Sequence, residues 1–291
     1  MSATPQMTIS GQPQQRDMRK DAVGPFLVLN HEILATGKTD VFDRIRNAAV
    51  YEVIRVVEGV PLFFEEHMER MRQSGDASGI AVRKEDSEVL EEISTLVEQN
   101  QCPETNAKLV CARVEGEEVF LTYFIPTEDP GYEGLRKGVH TILLQAERKD
   151  PHVKRVSSSF RDRVRDEMKK AGAYETLLVD RDGFVTEGVR SNLFFVKENR
   201  LCTPPSERVL LGVTRRHVVK ICRETGIGIR EQRLHRREIP GLEAAFLTGT
   251  TVDVMPIGTI EDCALASPTH PVVQEIVERY REDVKAYVHR T

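Results

Sequence analysis

Short alternating or apolar runs that break at glycine turns make up the first part of the chain. The run at 51–57, YEVIRVV, stops at Glu58-Gly59 and is followed by Pro61-Leu62-Phe63-Phe64, which is the pattern of a β-hairpin. Acidic residues first and Arg70 and Arg72 later predict a helix over 65–73, as the helix dipole prefers. Apolar residues at helical spacing predict a second helix over 85–98. The predicted strands are 26–29, 51–57, 61–64, 108–114 and 119–124. These elements predict a small α+β unit.

A stretch rich in proline, glycine and charge, TEDPGYEGLR at 127–136, separates this unit from a second block. In the second block, Gly172 stands where a helix would stop, and Asp182-Gly183 predicts a hairpin turn. The predicted helices are 159–171, 214–226 and 272–288. The predicted strands are 139–144, 175–180, 192–196, 227–233, 244–247 and 252–256. The pattern indicates a mixed α/β class with mainly antiparallel hairpins, in domains at 23–130 and 137–291 after a tail at 1–22.

Composition and charge narrow the possible functions. A formal net charge of -5 gives no field that would attract nucleic acid or an anionic membrane. No apolar run is long enough to span a bilayer, and the first residues lack the apolar core of a secretory signal. The five cysteines are scattered without a CxxC pair, which argues against a disulfide framework and a structural metal site. We therefore expect a cytoplasmic protein with no metal, nucleic-acid or membrane partner.

Four features of the second block could carry chemistry. Lys154 follows a proline-containing loop and precedes a predicted helix, and Glu187 follows the Asp-Gly turn. Gly212-Val213-Thr214 opens a helix and Thr248-Gly249-Thr250-Thr251 forms a turn, so both offer amides and hydroxyls to an anion. A lysine, an acid and an anion cradle are the parts that a phosphorylated aldehyde cofactor requires. Each feature alone is weak, because most lysines and glutamates are solvated surface residues.

Longer motifs occur in a fixed order along the chain. They are VYEVIRVVEGVPLFFEEHMERM from Val50, AGAYETLLVDRDGFVTEGVRSNLFFVKENRLCTPP from Ala171, VLLGVTRRHV from Val209 and AFLTGTTVDVMPIGTI from Ala245. In this order and at this spacing they resemble the class IV aminotransferases, which include branched-chain and D-amino-acid aminotransferases and aminodeoxychorismate lyases. The resemblance implies a two-domain enzyme of fold type IV that uses pyridoxal 5′-phosphate, with a small N-terminal α/β domain and a larger C-terminal pseudo-barrel domain.

The resemblance also implies roles for individual residues. Lys154, chosen over Lys149 by its distance from the Ala-Gly-Ala-Tyr-Glu element, matches the lysine that carries the cofactor. Glu187 matches the acid on the ring nitrogen, and Arg70, in His67-x-x-Arg70, the arginine on the phosphate. The further cofactor contacts implied are Leu210, Val213, Thr214 and Thr250. The predicted substrate contacts are Tyr51, Arg55, Arg113 and Thr251. We interpret four other residues as structural: His67, Ser191, Asn192 and His217.

Three segments depart from the family pattern. The stretch 43–50 is short and lacks the glycines that usually precede the first motif, so it does not indicate a substrate. Ser157-Ser158-Ser159 stands where the family often has asparagine or Asn-Tyr after the cofactor lysine. Arg113-Val114-Glu115 lacks the histidine with which the D-amino-acid enzymes bind the substrate carboxylate. A solvent-exposed Arg113 is therefore at least as compatible with the sequence as an Arg113 that binds a carboxylate.

The implied reaction is amino transfer between an amino acid and a 2-oxo acid by a ping-pong mechanism in a homodimer. Lys154 acts as the base, and branched-chain L-amino acids are candidate donors. Glu187 keeps the ring nitrogen protonated, because an opposite charge at hydrogen-bond range stabilises the cationic form. Three alternatives stay open: an aminodeoxychorismate lyase, a D-amino-acid aminotransferase, and a catalytically silent member used for binding.

Overall fold

The structure, a computed structural model, describes residues 18–45, 49–127, 130–148, 150–155 and 158–290, without the side chains of 158–163. The chain divides into two compact units. The N-terminal unit comprises the described residues of 15–129, 152–157 and 281–291, and the C-terminal unit those of 130–151 and 158–280. The short segment that carries Lys154 therefore belongs to the N-terminal unit, although both of its flanks belong to the other.

A six-stranded antiparallel sheet lies at the centre of the described part of the N-terminal unit. Its strands in spatial order are Glu32–Ala35, Val23–Leu29, Glu117–Ile125, Thr105–Val114, Ala49–Val57 and Val60–Pro61. Residues of positive φ at Glu58-Gly59 and Glu115-Gly116 form hairpin turns, and the first of these is the turn predicted above. The strand predicted over 61–64 is wrong beyond Pro61, because Phe63 takes a left-handed conformation and the next helix begins at Phe64.

The two faces of this sheet carry separate apolar clusters. Helices Phe64–Asp76 and Asp86–Asn100 pack on one face, where Ile54 and Ile93 are completely buried. The other face is covered by residues from the start of the described chain, including Met18 and Phe42. The short helices there are Met18–Asp21, Thr36–Lys38 and Val41–Arg44. The folded part thus reaches back into the segment predicted as a tail, and residues 1–17 of that segment lie outside the described residues.

The described part of the C-terminal unit contains a ten-stranded sheet of mixed direction. Nine of its strands follow one another in the order Ile229–Glu231, Arg200–Thr203, Asn192–Lys197, Ala244–Gly249, Asp253–Ile260, Val139–Gln145, Glu175–Val179, Phe184–Gly188 and Leu234–His235. Cys263–Ala264 pairs with Asp253–Ile260. Val139–Gln145 runs parallel to both of its neighbours, which the prediction of mainly antiparallel hairpins did not include. The predicted mixed α/β class is confirmed.

Helices and short 3-10 turns complete the C-terminal unit. They are Gly131–Lys137, Ser158–Ala171, Ser206–Arg208, Val213–Thr225, Arg236–Gly241, Ser267–Thr269 and the part up to 280 of Pro271–Val288. Gly172 follows its helix with positive φ, as the sequence predicts for a terminating glycine. Helix Gly131–Lys137 occupies the stretch that its glycines and prolines marked as a linker. No helix in the described ranges is long and apolar enough to cross a membrane.

Candidate active site

A buried carboxylate, Glu52, is the centre of a charged cluster in the N-terminal unit. Glu52 lies on strand Ala49–Val57 and is 0% exposed. Arg70 donates from Nε to Oε1 and from Nη2 to Oε2, both at 2.7 Å, in a bidentate pair. His67 Nδ1 lies 2.9 Å from Oε2. His67 and Arg70 reach the same carboxylate because residues three apart share one face of a helix.

Lys154 joins this cluster through its side chain and its backbone. Its Nζ donates to Glu52 Oε2 at 3.3 Å and lies 5.3 Å from the centre of the Tyr51 ring. Its carbonyl accepts from Tyr51 N at 3.2 Å, and its N–H donates to Ser74 Oγ at 3.3 Å. The amine is therefore held against the strand and helix that carry Glu52 and Arg70. Lys149, the alternative lysine, lies outside the described residues.

Burial and charge oppose each other in this cluster. Burial would raise the pKa of Glu52, but Arg70, Lys154 and His67 outweigh it and hold that pKa well below its ordinary value. Burial lowers the pKa of His67 to about 4, so the ring is neutral at pH 7. Burial and the charge of Arg70 also lower the pKa of the Lys154 amine, against the opposing effect of Glu52. A lowered pKa is what a lysine needs to act as a base.

Glu187 is a buried carboxylate in the C-terminal unit. It follows the Asp-Gly turn on strand Phe184–Gly188, and its Oε2 accepts from Leu210 N at 3.0 Å and from Asn192 Nδ2 at 3.2 Å. Arg148 Nε lies 2.8 Å from Oε1. Burial nevertheless raises the pKa of Glu187, because Arg148 and the Leu210 amide compensate only part of the desolvation.

The start of helix Val213–Thr225 is fixed next to Glu187. Asn192 Nδ2 donates to the Leu210 carbonyl at 2.7 Å, so one side chain connects the acid to the residues before the helix. Gly212 allows this approach, since a Cβ there would lie 2.2 Å from Asn192 Oδ1. The residue at the start of the helix, Gly212, has no side chain with which to cap the first amides, next to the buried Val213 and Thr214. This end of the helix can therefore bind an anion, as its dipole favours.

The remaining predicted contacts occupy several environments. Thr250 and Thr251 are partly buried in the turn between Ala244–Gly249 and Asp253–Ile260, in the C-terminal unit. Tyr51 is buried, Arg55 is half-buried on the same strand, and Arg113 is exposed near the end of Thr105–Val114. In the described ranges no group of three His, Cys, Asp or Glu side chains is placed to hold a metal ion. The roles of all these residues stay predictions.

Sequence reasoning missed two residues of these clusters, Glu52 and Arg148, and it gave His67 and Asn192 a structural interpretation. Glu52 had a signal, since it is a lone carboxylate in VYEVIRVV whose neighbours on the same strand face, Val50 and Ile54, are buried. Asn192 was interpreted as structural, but it also donates to the predicted acid. Arg148 had no distinguishing signal, because a charged residue in a loop is ordinarily solvated.

Known proteins resemble this chain over most of its length. The profile of the family described as Amino-transferase class IV matches residues 49–260. The D-alanine aminotransferase of Bacillus licheniformis is 28% identical, over 75% of this chain and 81% of its own. The branched-chain-amino-acid aminotransferase of Salmonella typhimurium (strain LT2) is 27% identical, over 73% of this chain and 76% of its own.

A solved structure resembles the fold closely. The branched-chain amino acid aminotransferase from Thermobaculum terrenum, in its PLP-form, superposes with a TM-score of 0.74 at 22% identity, and the match covers 92% of this chain and 96% of that chain. At this level of identity the likeness concerns the fold alone. It confirms the predicted fold type IV architecture.

Proposed function

The chain belongs to the class IV aminotransferase family, and we propose that it uses pyridoxal 5′-phosphate to move an amino group between an amino acid and a 2-oxo acid. The observation that carries this proposal is the environment of Lys154. Its amine is almost enclosed, contacts Glu52, and lies over the ring of Tyr51. An ordinary surface lysine has neither this burial nor a lowered pKa.

Different residues of the chain would hold different parts of the cofactor. Bound pyridoxal phosphate supplies an aldehyde that bonds to an amine and a protonated ring that accepts an electron pair. Glu187 fits the ring nitrogen, because it is a buried carboxylate whose raised pKa indicates that the chain itself does not fully compensate its charge. The amides at the start of helix Val213–Thr225, which Gly212 does not cap, fit the phosphate, and Arg70 is the predicted cation for it.

Lys154 would take part in the reaction directly, and other residues would orient the groups that bind the cofactor. Lys154 would hold the cofactor until the substrate amine displaces it, and would then take the proton from the substrate Cα. A lowered pKa leaves more of the amine neutral and therefore able to accept that proton. Glu52 would orient Arg70 through two hydrogen bonds, and Asn192 would orient Glu187.

Borohydride reduction of the purified holoenzyme tests the assignment of the lysine. Peptide mapping should place the reduced cofactor on Lys154. Lys154→Met should abolish labelling, whereas the matched control Lys149→Met should be labelled normally. A label on Lys149 or on any other lysine would contradict the proposal.

Glu187→Gln tests the acid. Glutamine keeps the shape and the hydrogen bond from Leu210 but removes the charge that favours a protonated ring. We expect the cofactor to bind while turnover falls by about 100-fold or more, the size of loss seen when one preorganised electrostatic partner is removed. Unchanged turnover would remove Glu187 from the site.

The substrate class needs its own measurement, because one relative is by name a D-alanine aminotransferase and another a branched-chain enzyme. We propose a branched-chain L-amino acid as the first donor to test. Single L- and D-amino acids should be added to the holoenzyme, and the absorbance of the bound cofactor followed. Bleaching by D-alanine alone would favour a D-amino-acid aminotransferase, and pyruvate release from aminodeoxychorismate without an oxo-acid acceptor would favour the lyase.

We also propose that the enzyme works as a homodimer in the cytoplasm, as the family resemblance implies. Light scattering coupled to gel filtration should give twice the chain mass of 33.0 kDa. A monomer with full turnover would contradict the dimer.

A further inference from the structure

Lys108 is a buried lysine that the proposed reaction leaves without a role. It lies on strand Thr105–Val114 and is 4% exposed. Its cross-strand neighbours are Val53 on one side and Tyr123 on the other. Val53 lies on the same face as Tyr51 and Arg55, the residues that the sequence indicates as pocket-forming. Lys108 therefore lies on the predicted substrate face of the sheet.

Among the described residues, two tyrosine rings and a carboxylate lie near the ammonium group of Lys108. The Nζ atom lies 5.6 Å from the centre of the Tyr51 ring and 5.5 Å from that of Tyr123. The carboxylate is that of Asp21, whose Oδ2 lies at 3.7 Å, beyond hydrogen-bond distance. Exchanging a buried ion pair for apolar side chains is often neutral or stabilising, so stability alone does not explain a lysine at this position.

Tyr51 connects Lys108 to the reactive amine. The Nζ of Lys154 lies 5.3 Å from the centre of the same ring, so the two amines share one aromatic neighbour within the N-terminal unit. A substrate whose amino group displaces Lys154 from the cofactor would thus have a buried cation, Lys108, nearby. Every amino acid and every 2-oxo acid carries a carboxylate, and a carboxylate forms strong, charge-assisted hydrogen bonds with an ammonium group.

We propose that Lys108 binds a carboxylate of the amino-acid or oxo-acid substrate and so helps to set substrate choice. This inference rests on the proposed aminotransferase function. The carboxylate is either the one on Cα, common to all substrates, or the second one of a dicarboxylic substrate. In either case the substrate competes with Asp21 for the same ammonium group.

The half-reaction of the holoenzyme with single donors tests this proposal. In Lys108→Met, the concentration of a recognised donor that gives half-maximal bleaching should rise by at least about 30-fold, and Lys108→Arg should restore part of it. Leucine, glutamate and 1-phenylethylamine distinguish the two carboxylates. If the half-maximal concentration rises for leucine and glutamate but not for the amine, Lys108 binds the carboxylate on Cα. If it rises for glutamate alone, Lys108 binds the second carboxylate. Unchanged values for all donors would overturn the proposal.

Lys84→Met is the matched control. Lys84 is also buried in the N-terminal unit, pairs with Glu92, and lies 5.0 Å from the centre of the Phe120 ring. Its loss should disturb folding to a similar degree and leave donor binding unchanged. If Lys108→Met does not fold, Asp21→Asn carries the test, because removal of the competing carboxylate should lower the half-maximal concentration; an unchanged or higher value would count against the proposal.

Calorimetry with unreactive acids separates this inference from the proposed function. Binding of 4-methylpentanoate or of succinate to the holoenzyme should weaken by at least about 30-fold in Lys108→Met. If the unmodified protein is not bleached by any donor, the proposed function fails, and these titrations still decide the role of Lys108. Equal affinities of the unmodified protein and Lys108→Met for both acids would overturn the inference even in an active enzyme.

Discussion

Each unit buries a glutamate of the candidate site, Glu52 in one and Glu187 in the other, and the pKa values of the two carboxylates shift in opposite directions. Glu52 interacts with Arg70, Lys154 and His67, and these interactions hold its pKa well below the ordinary value. Glu187 interacts with Arg148, the Leu210 amide and Asn192, and its pKa is nevertheless raised by burial. Burial alone would raise the pKa of both carboxylates, so the difference comes from the positive charges near each of them. Glu52, with several cations around it, holds these side chains in place. Glu187, whose charge is only partly compensated, can bind a further cationic group.

The largest effect should follow from Glu52→Gln. Glutamine leaves Arg70 and Lys154 buried without their anion, and breaking such a pair from one side costs about 3–5 kcal/mol. Denaturant unfolding should show this loss. Glu92→Gln is the matched control, because Glu92 is a buried acid that pairs with Lys84. Glu92→Gln should cost less and leave the borohydride label on Lys154 unchanged; an equal or smaller cost for Glu52→Gln would contradict the cluster.

His67 should make stability depend on pH between about 6.5 and 4. Its pKa is about 4 in the folded protein against an ordinary value of 6.5, so the unfolded chain binds more protons in this window. Stability from neutral His67 is present above pH 6.5 and is lost as the pH falls, by an amount on the order of 3 kcal/mol. His67→Gln should flatten this part of the stability profile. The exposed His31 provides the control, since His31→Gln should keep the slope.

Arg148→Met should have the opposite pH dependence. Without Arg148, Glu187 becomes a less compensated buried carboxylate, and we expect a loss of about 1–3 kcal/mol at pH 8 in the cofactor-free protein. The pKa of Glu187 is already raised, so the stability tied to its protonated form is present at low pH and is lost as the pH rises. The cost of Arg148→Met should therefore shrink on acidification. In a Glu187→Gln background the cost of Arg148→Met should be small at every pH, and a cost as large as in the unmodified background would contradict the pairing.

The smallest effect should come from Asn192→Ala. Loss of the hydrogen bonds to Glu187 and the Leu210 carbonyl should cost about 1 kcal/mol and reduce turnover, because the acid is less well oriented. Asn100 is a matched control, since it makes two hydrogen bonds to the backbone of Phe26. Asn100→Ala should cost a similar amount of stability with unchanged turnover. Equal turnover in both variants would exclude a positioning role for Asn192.

Local patterns predicted the elements well and the connections between them less well. Apolar residues at helical spacing, such as Val89 and Ile93, correctly predicted helix Asp86–Asn100. Helix Gly131–Lys137 was missed because its two glycines and the preceding Pro130 are typical of a linker. The parallel neighbours of Val139–Gln145 were missed because strand pairing depends on residues far apart in sequence.

The candidate site divides in the same way. Motif order predicted roles for Lys154 and Glu187, and the structure adds that Lys154 is largely buried, Glu187 is almost completely buried, and each has a definite set of partners. The partners themselves were harder to predict. Glu52 is separated from Lys154 by 102 positions, and no local pattern connects a glutamate in a strand to a lysine at that distance.

The placement of 152–155 in the N-terminal unit has a consequence for how the protein is made. A ribosome that adds about 5–20 residues per second delivers Lys154 roughly 5–20 s after Glu52. During that interval the nascent sheet and helix can pair Glu52 with Arg70 but still lack the reactive amine. A fragment that stops before 152 would therefore lack the amine that we propose to carry the cofactor.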